Sequence, residues 1–120
     1  MPTLNMQGPY EFSGDEIDNQ ITRTQAGNYA IGKLDPEGGF QVHYVGRSDT
    51  DVNNRLKQHL PKRYTKGYTH FKFSYASSPK EAFEKECQNY HDFGESKSLD
   101  NEVHPDLPSN SKNWKCPVCG

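Results

Sequence analysis

The sequence predicts a small α/β sandwich with a central three-stranded, mainly antiparallel sheet flanked by helices. Three observations carry this. Residues 70–76, HFKFSYA, alternate strictly and put Phe71, Phe73 and Tyr75 on one face, the pattern of a half-buried strand. Residues 28–34 (NYAIGKL) and 41–46 (QVHYVG) are two further strand-like runs joined by the turn-rich DPEGG, so they read as an antiparallel hairpin. In SSPKEAFEKECQNYHDFG, Ser78 caps a helix, Pro79 takes its first position, Glu81 completes a capping box and Gly94 ends it.

The other elements follow in order. Residues 1–24 are expected to form an acidic arm or a short helix. Ser13 and Glu16 fit a capping box for a helix from about Gly14 to Thr22, supported by Ile17 and Ile21 alone. In the hairpin, Tyr29 and Ile31 share one face, and Val42 and Tyr44 are expected to share one too. Next, Asp49, Thr50 and Asp51 are candidate caps for a helix that Pro61 stops, with Val52, Leu56 and Leu60 as its buried stripe. Arg55 and His59, four apart, project from one face of that helix. The predicted core domain spans 25–102. Residues 103–120 are a loop closing on a cysteine pair and packed on the same domain.

Composition bounds the function. Leu, Ile, Val and Phe are only 20 of 120 residues, yet the net charge is −2, too small for a charge-driven disordered chain. Seven Tyr and six Phe supply ring area for a lean core. One small domain is expected, not a multidomain enzyme or a doubly wound nucleotide fold. No run is apolar enough to cross a membrane, and MPTLNMQGPYEFSGDE has neither a basic start nor an apolar stretch. A cytoplasmic protein with no membrane partner is therefore expected.

Charge is unevenly placed. Between Arg47 and Lys72 lie seven basic residues and only two acids, Asp49 and Asp51, a local balance of +5. Tyr64 and Tyr68 are interleaved. Arg47, Lys57, Lys62, Arg63 and Lys66 are thus candidate nucleic-acid contacts, set against the plainer reading of a solvated loop.

The cysteines suggest a metal. Three thiols without an export signal argue against a disulfide framework. Cys116 and Cys119 form a CPVC knuckle, a common half of a tetrahedral zinc site, and Cys87 and His91 are i, i+4 on a predicted helix. Together they make a Cys3His set for structural Zn²⁺, with His104 as the competing fourth ligand. The plainer alternative is a buried Cys87 and a frayed tail.

The ordered set GNY (27–29), YVGRS (44–48), RLKQH (55–59), the EAFEKE helix (81–86) and LDN (99–101) resembles the GIY-YIG nuclease superfamily over about residues 25–102. The resemblance implies a GIY-YIG-like fold and a metal-dependent endonuclease acting on DNA. By that resemblance Tyr29 and Tyr44 are the two motif tyrosines and Arg47 the basic residue after the second motif. Arg55 is the catalytic arginine, His59 the residue one turn later, Glu86 the metal-binding glutamate and Asn101 the downstream asparagine. Asn28 stands where the family carries an apolar residue, and the hairpin loop is longer than usual.

The chemistry suits these residues. One carboxylate, Glu86, can hold Mg²⁺ (or Mn²⁺), which keeps several of its waters. Arg55 offers a fixed, permanently charged fork to phosphate oxygens. Tyr29 or Tyr44 is the candidate general base once nearby positive charge lowers its pKa, and His59 takes the proton onward or contacts phosphate. Taken singly, each reads as plain structure: strand aromatics, a surface Arg and His, one of three helix glutamates, a turn Asn. Only their order and spacing point to catalysis. The alternatives are a non-cleaving nucleic-acid module of the same fold and a zinc-stapled interaction domain. A chain this small leaves DNA specificity to a protein partner or to DNA structure.

Overall fold

A computed structural model describes residues 6–94, 99–100 and 116–117. Eight elements follow along the chain: β1 (Gln7–Glu11), α1 (Gly14–Gln20), β2 (Gly27–Leu34), β3 (Phe40–Ser48), α2 (Val52–Lys57), α3 (Lys62–Thr65), β4 (His70–Tyr75) and α4 (Pro79–Asp92). The sheet is antiparallel throughout in the order β1-β4-β2-β3. It has four strands, not the expected three.

The extra strand is β1, from the segment read as an arm or helix. Its sequence, QGPYE, has one ring and no alternation, so nothing local marks it as a strand. Long-range pairing with β4 makes it one, with an irregular register between Gln7 and Tyr10. Tyr10 lies over Phe71 and Phe73, at centroid distances of 5.7 and 6.2 Å. Gly8 has φ of 118°, and a Cβ there would come within 2.9 Å of the Phe71 carbonyl oxygen. A Gly-Pro edge strand of this kind also resists edge-to-edge pairing.

β2 is central, and Gly27 to Gly32 are all buried, because both faces of the sheet are covered. On one face Tyr29, Ile31, Phe71 and Phe73 pack with Ile17 and Ile21 from α1 and its exit and with Val52 and Leu56 of α2. On the other, Ala30 and Val45 pack with Tyr90 of α4 and with Leu99. The result is a three-layer sandwich, in which α1 docks on α2 and joins the same core as the sheet. Ser13 caps α1, its Oγ accepting from Glu16 N at 3.2 Å, so the helical reading of this segment holds.

Two further expectations change. Val42 and Tyr44 do not share a face. The ladder pairs Ile31 with Tyr44 but Gly32 with Val42, leaving an extra β3 residue opposite Gly32. This bulge turns Val42 toward the α4 face, while Tyr44 joins the Tyr29 face. The strands approach so closely there that a Cβ on Gly32 would lie 1.8 Å from the Gln41 carbonyl oxygen. The helix after β3 also breaks. α2 ends at Lys57, and Pro61 stands as the N-cap of α3 rather than as a terminator. Of the three candidate caps, Asp51 serves, accepting from Asn54 N at 3.2 Å.

α4 has the cap read from its sequence, with Ser78 Oγ accepting from Glu81 N at 3.1 Å. The Glu81 carboxylate reaches back to Ser77 rather than to Ser78. Among the described residues, no helix is long and apolar enough to cross a membrane.

Candidate active site

The Tyr29 face of the sheet brings together Tyr29, Tyr44 and His59, beside α2, which carries Arg55. Tyr29 sits directly opposite Gly46 in the β2–β3 ladder. Its ring lies across the Gly46 backbone, where a Cβ would fall 2.4 Å from the phenol oxygen. The glycine of YVG is therefore required by the ring of GNY. Tyr29 Oη is 2.7 Å from His59 Nε2, in a buried hydrogen bond. The His59 ring lies between the two motif tyrosines, 5.3 Å from Tyr29 and 5.0 Å from Tyr44 by centroids.

The electrostatics tie the group together. Burial, then Tyr44, push the Tyr29 hydroxyl up, against the pull of Arg55. Burial raises Tyr44 also, helped by Glu86 and opposed by Arg55. Burial first, with Lys62 and Arg55 adding to it, pushes His59 down to about 4. At neutral pH the buried imidazole is thus uncharged and either nitrogen tautomer can serve Tyr29. Arg55 itself is exposed on α2, and its guanidinium donates to Gln58 Oε1 at 2.7 Å.

The His59 shift has a consequence for stability. In the unfolded chain the imidazole titrates near 6.5, in the folded one near 4. Between these pH values the unfolded state binds the extra proton, so stability falls as pH drops from about 6.5 to about 4 and is fully present above. Urea midpoints at pH 7 and pH 5 check this. His59→Gln is expected to flatten the difference, and an unchanged slope counts against the assignment.

Glu86 lies on the inner face of α4. Its carboxylate pairs with Arg47 Nη1, while Arg47 Nε reaches Asp49 at 3.0 Å. The two side chains of the Arg47–Glu86 pair are each only 11% exposed, and the guanidinium lies 5.1 Å above the Phe83 ring. Burial raises the Glu86 pKa and Arg47 counters it. Burial opposes the Arg47 charge, but Glu86 and Asp49 more than restore it. Arg47, read as a nucleic-acid contact, is thus an internal partner of the candidate metal-binding carboxylate.

Asn28 has a similar inward role. It is fully buried, and its Nδ2 donates to the Ala82 carbonyl at 2.8 Å. Ala82 lies one helical turn before Glu86. The polar residue in GNY therefore fixes α4 to β2. Nothing in the sequence marks Asn28 for this, because its partner is a backbone atom 54 residues away.

The other basic residues differ in placement. Lys57 pairs with Asp18 of α1 at 2.5 Å. The Lys62 ammonium lies 4.1 Å above the Tyr44 ring, beside the His59 cluster. Arg63 and Lys66 are exposed on and just after α3, with Tyr64 at 82% exposure between them. A cleft of about 490 Å³ runs alongside, lined by Glu11, Arg63, Tyr64, Tyr68 and His70 among others.

Sequence reasoning missed Tyr68 and Asp100. Tyr68 Oη donates to Asp100 Oδ2 at 2.5 Å, and Asp100 N donates to the His43 carbonyl. With Leu99 buried, this pins the chain after α4 beside β3. Asn101 follows directly in sequence, but it lies outside the described residues, as do His104 and Cys119.

Cys87 and Cys116 meet in one buried cluster with Phe83, and no disulfide joins them. Burial, then contact with Cys116, pushes the Cys87 thiol up. His91 lies one turn further along α4, its ring against Tyr90. Among the described residues, no three His, Cys, Asp or Glu side chains are grouped closely enough to hold a metal.

No family model, curated protein or solved structure matches this chain.

Proposed function

We propose that the chain is a GIY-YIG-like endonuclease that hydrolyses DNA phosphodiester bonds with one divalent metal. The observation that carries this reading is the buried Tyr29–His59 hydrogen bond, with Tyr44 against the same imidazole and Arg55 acting electrostatically on all three. Three separate sequence motifs converge there.

Each residue then has a task. Tyr29 accepts a proton from the attacking water as it passes its own to His59, which is neutral at pH 7. Because burial and nearby cations oppose the imidazolium, the relay relies on the negative charge of the bound phosphate to offset them. Such a relay needs no free phenolate, so the raised Tyr29 pKa is no obstacle. Arg55, exposed at the rim, grips the phosphate. Glu86 is the carboxylate that fits Mg²⁺ or Mn²⁺, because a hard cation that retains waters needs few protein oxygens. When bound, the metal supplies positive charge to the phosphate and acidifies a water. Arg47 holds Glu86 in place and favours its ionised form. Lys62, Arg63, Lys66 and the exposed Tyr64 make a basic surface, with Arg63 over one face of the Tyr64 ring and the other face available to a base.

Supercoiled plasmid is the test. With Mg²⁺ the protein is expected to nick it, and EDTA is expected to abolish nicking. Arg55→Ala should lower the rate on the order of 10²–10³-fold, as removal of one charge-stabilising group does. Equal behaviour of native protein, EDTA control and variant rejects the enzyme. Salt-sensitive binding without cleavage supports the non-cleaving module instead.

A further inference from the structure

The cleft beside α3 combines rings, cations and one carboxylate. Its volume of about 490 Å³ is in the usual range for a small-ligand site. Phe12 and Tyr68, both 2% exposed, form its floor. Tyr68 gives its hydroxyl to Asp100, so it offers the cleft ring surface rather than a polar tip. At the mouth stands Tyr64, 82% exposed, with the Arg63 guanidinium 5.4 Å from the ring centroid on one face. The other face is open. Glu11 also lines the cleft and, among the described residues, makes no ion pair. A carboxylate accepts hydrogen bonds but repels phosphate. His70 Nδ1 bonds Thr69 Oγ1 at 2.9 Å, which leaves its Nε2 for a ligand.

α3 sets this cleft next to the tyrosine cluster. Its first residue, Lys62, lies over the Tyr44 ring, and the next two, Arg63 and Tyr64, line the cleft. A strand that passes Tyr44 and Lys62 with its phosphates therefore meets rings and an acceptor next. That combination fits a flat group with N–H donors on its edge, whose negative charge lies outside, on Lys62, Arg63 and Lys66. A nucleobase is such a group. Within a duplex it has first to leave its stack, at a cost that an unpaired base avoids. We propose that the cleft receives one unpaired nucleobase, stacked on the open face of Tyr64, so that the preferred DNA carries an unpaired nucleotide beside the cut. The position of the cut rests on the nuclease reading; the base-binding cleft does not.

Binding is measured by fluorescence anisotropy in EDTA, without divalent metal, on labelled hairpin DNAs of one duplex sequence. One carries a short thymidine tail, the other a tail with the same sugars and phosphates but no bases. Native protein is expected to bind the thymidine tail about tenfold more tightly, the order of one base stacked on an aromatic ring. Tyr64→Ala should abolish that ratio and Tyr64→Phe should keep it. The exposure of Tyr64 leaves the fold independent of its ring, and an unchanged urea midpoint checks this. Equal binding of the two tails by native protein overturns the proposal, since charge alone then explains binding. A ratio that survives Tyr64→Ala overturns it too. Tail preference without plasmid nicking supports the cleft and rejects the enzyme. Nicking without tail preference rejects the cleft and leaves the enzyme.

Discussion

Glu86→Gln is expected to bring Mg²⁺-dependent nicking below detection and to lower stability by about 1.5–3 kcal/mol, the range for a hydrogen bond to a charged group. The proposed metal ligand and the Arg47 partner are lost together. Gln keeps the volume but has no charge to hold a hard cation. It also leaves the Arg47 guanidinium, only 11% exposed, with Asp49 as its remaining ionic partner. A buried charge that loses one partner destabilises far more than an exposed one. The two effects separate by measurement. Urea midpoints report the Arg47 pairing, and plasmid nicking with Mg²⁺ reports the proposed metal site. A variant that is destabilised yet nicks at the native rate removes Glu86 from the catalytic machinery. A variant as stable as the native protein shows that Arg47 does not depend on it.

Gly46→Ala is expected to act on Tyr29 rather than on its own strand. The new Cβ would stand 2.4 Å from the Tyr29 phenol oxygen and 2.7 Å from a ring carbon. The backbone conformation of Gly46 is not the difficulty, since its φ is not positive. The tyrosine ring has to move, and with it the 2.7 Å contact to His59. Overpacking of this kind costs about 1–3 kcal/mol. Misplacing a catalytic group by about 1 Å costs on the order of 10²-fold in rate. Gly14→Ala is the matched control, because a Cβ there meets only Leu60 Cδ1 at 3.7 Å. Native nicking and stability in Gly46→Ala, alongside an unchanged control, contradict the packing argument.

These two residues show how legible the site was. Tyr29, Tyr44, Arg55, His59 and Glu86 were marked by order and spacing; Tyr29, Tyr44 and His59 meet on one face of the sheet beside α2, which carries Arg55, whereas Glu86 lies on α4, which packs on the other face. Their roles were not readable in the same way. Arg47 looked like a phosphate contact because it opens a basic stretch. It turned inward because Glu86, 39 positions later, lies across from it on α4. Asn28 looked like a departure from an apolar position. It is buried because α4 presents the Ala82 carbonyl there.

The same division runs through the fold. By itself, the sequence determined the elements whose signals are local. Ser78, Pro79 and Gly94 bound α4, Ser13 caps α1, and alternation makes β4 a strand. These features satisfy backbone groups or bury side chains within a few residues of themselves, so they are written in consecutive letters. Tertiary structure alone decided β1, the β3 bulge, the break between α2 and α3, and the meeting of Cys87 with Cys116. β1 exists because β4 offers it an edge. The bulge exists because the strands close to a distance only Gly32 permits. The physical reason is common to all four. Each depends on partners apart in the chain, which at the α2–α3 break is Tyr29 for the side chain of His59, and their energy appears only after the sheet and its helices have brought those partners together.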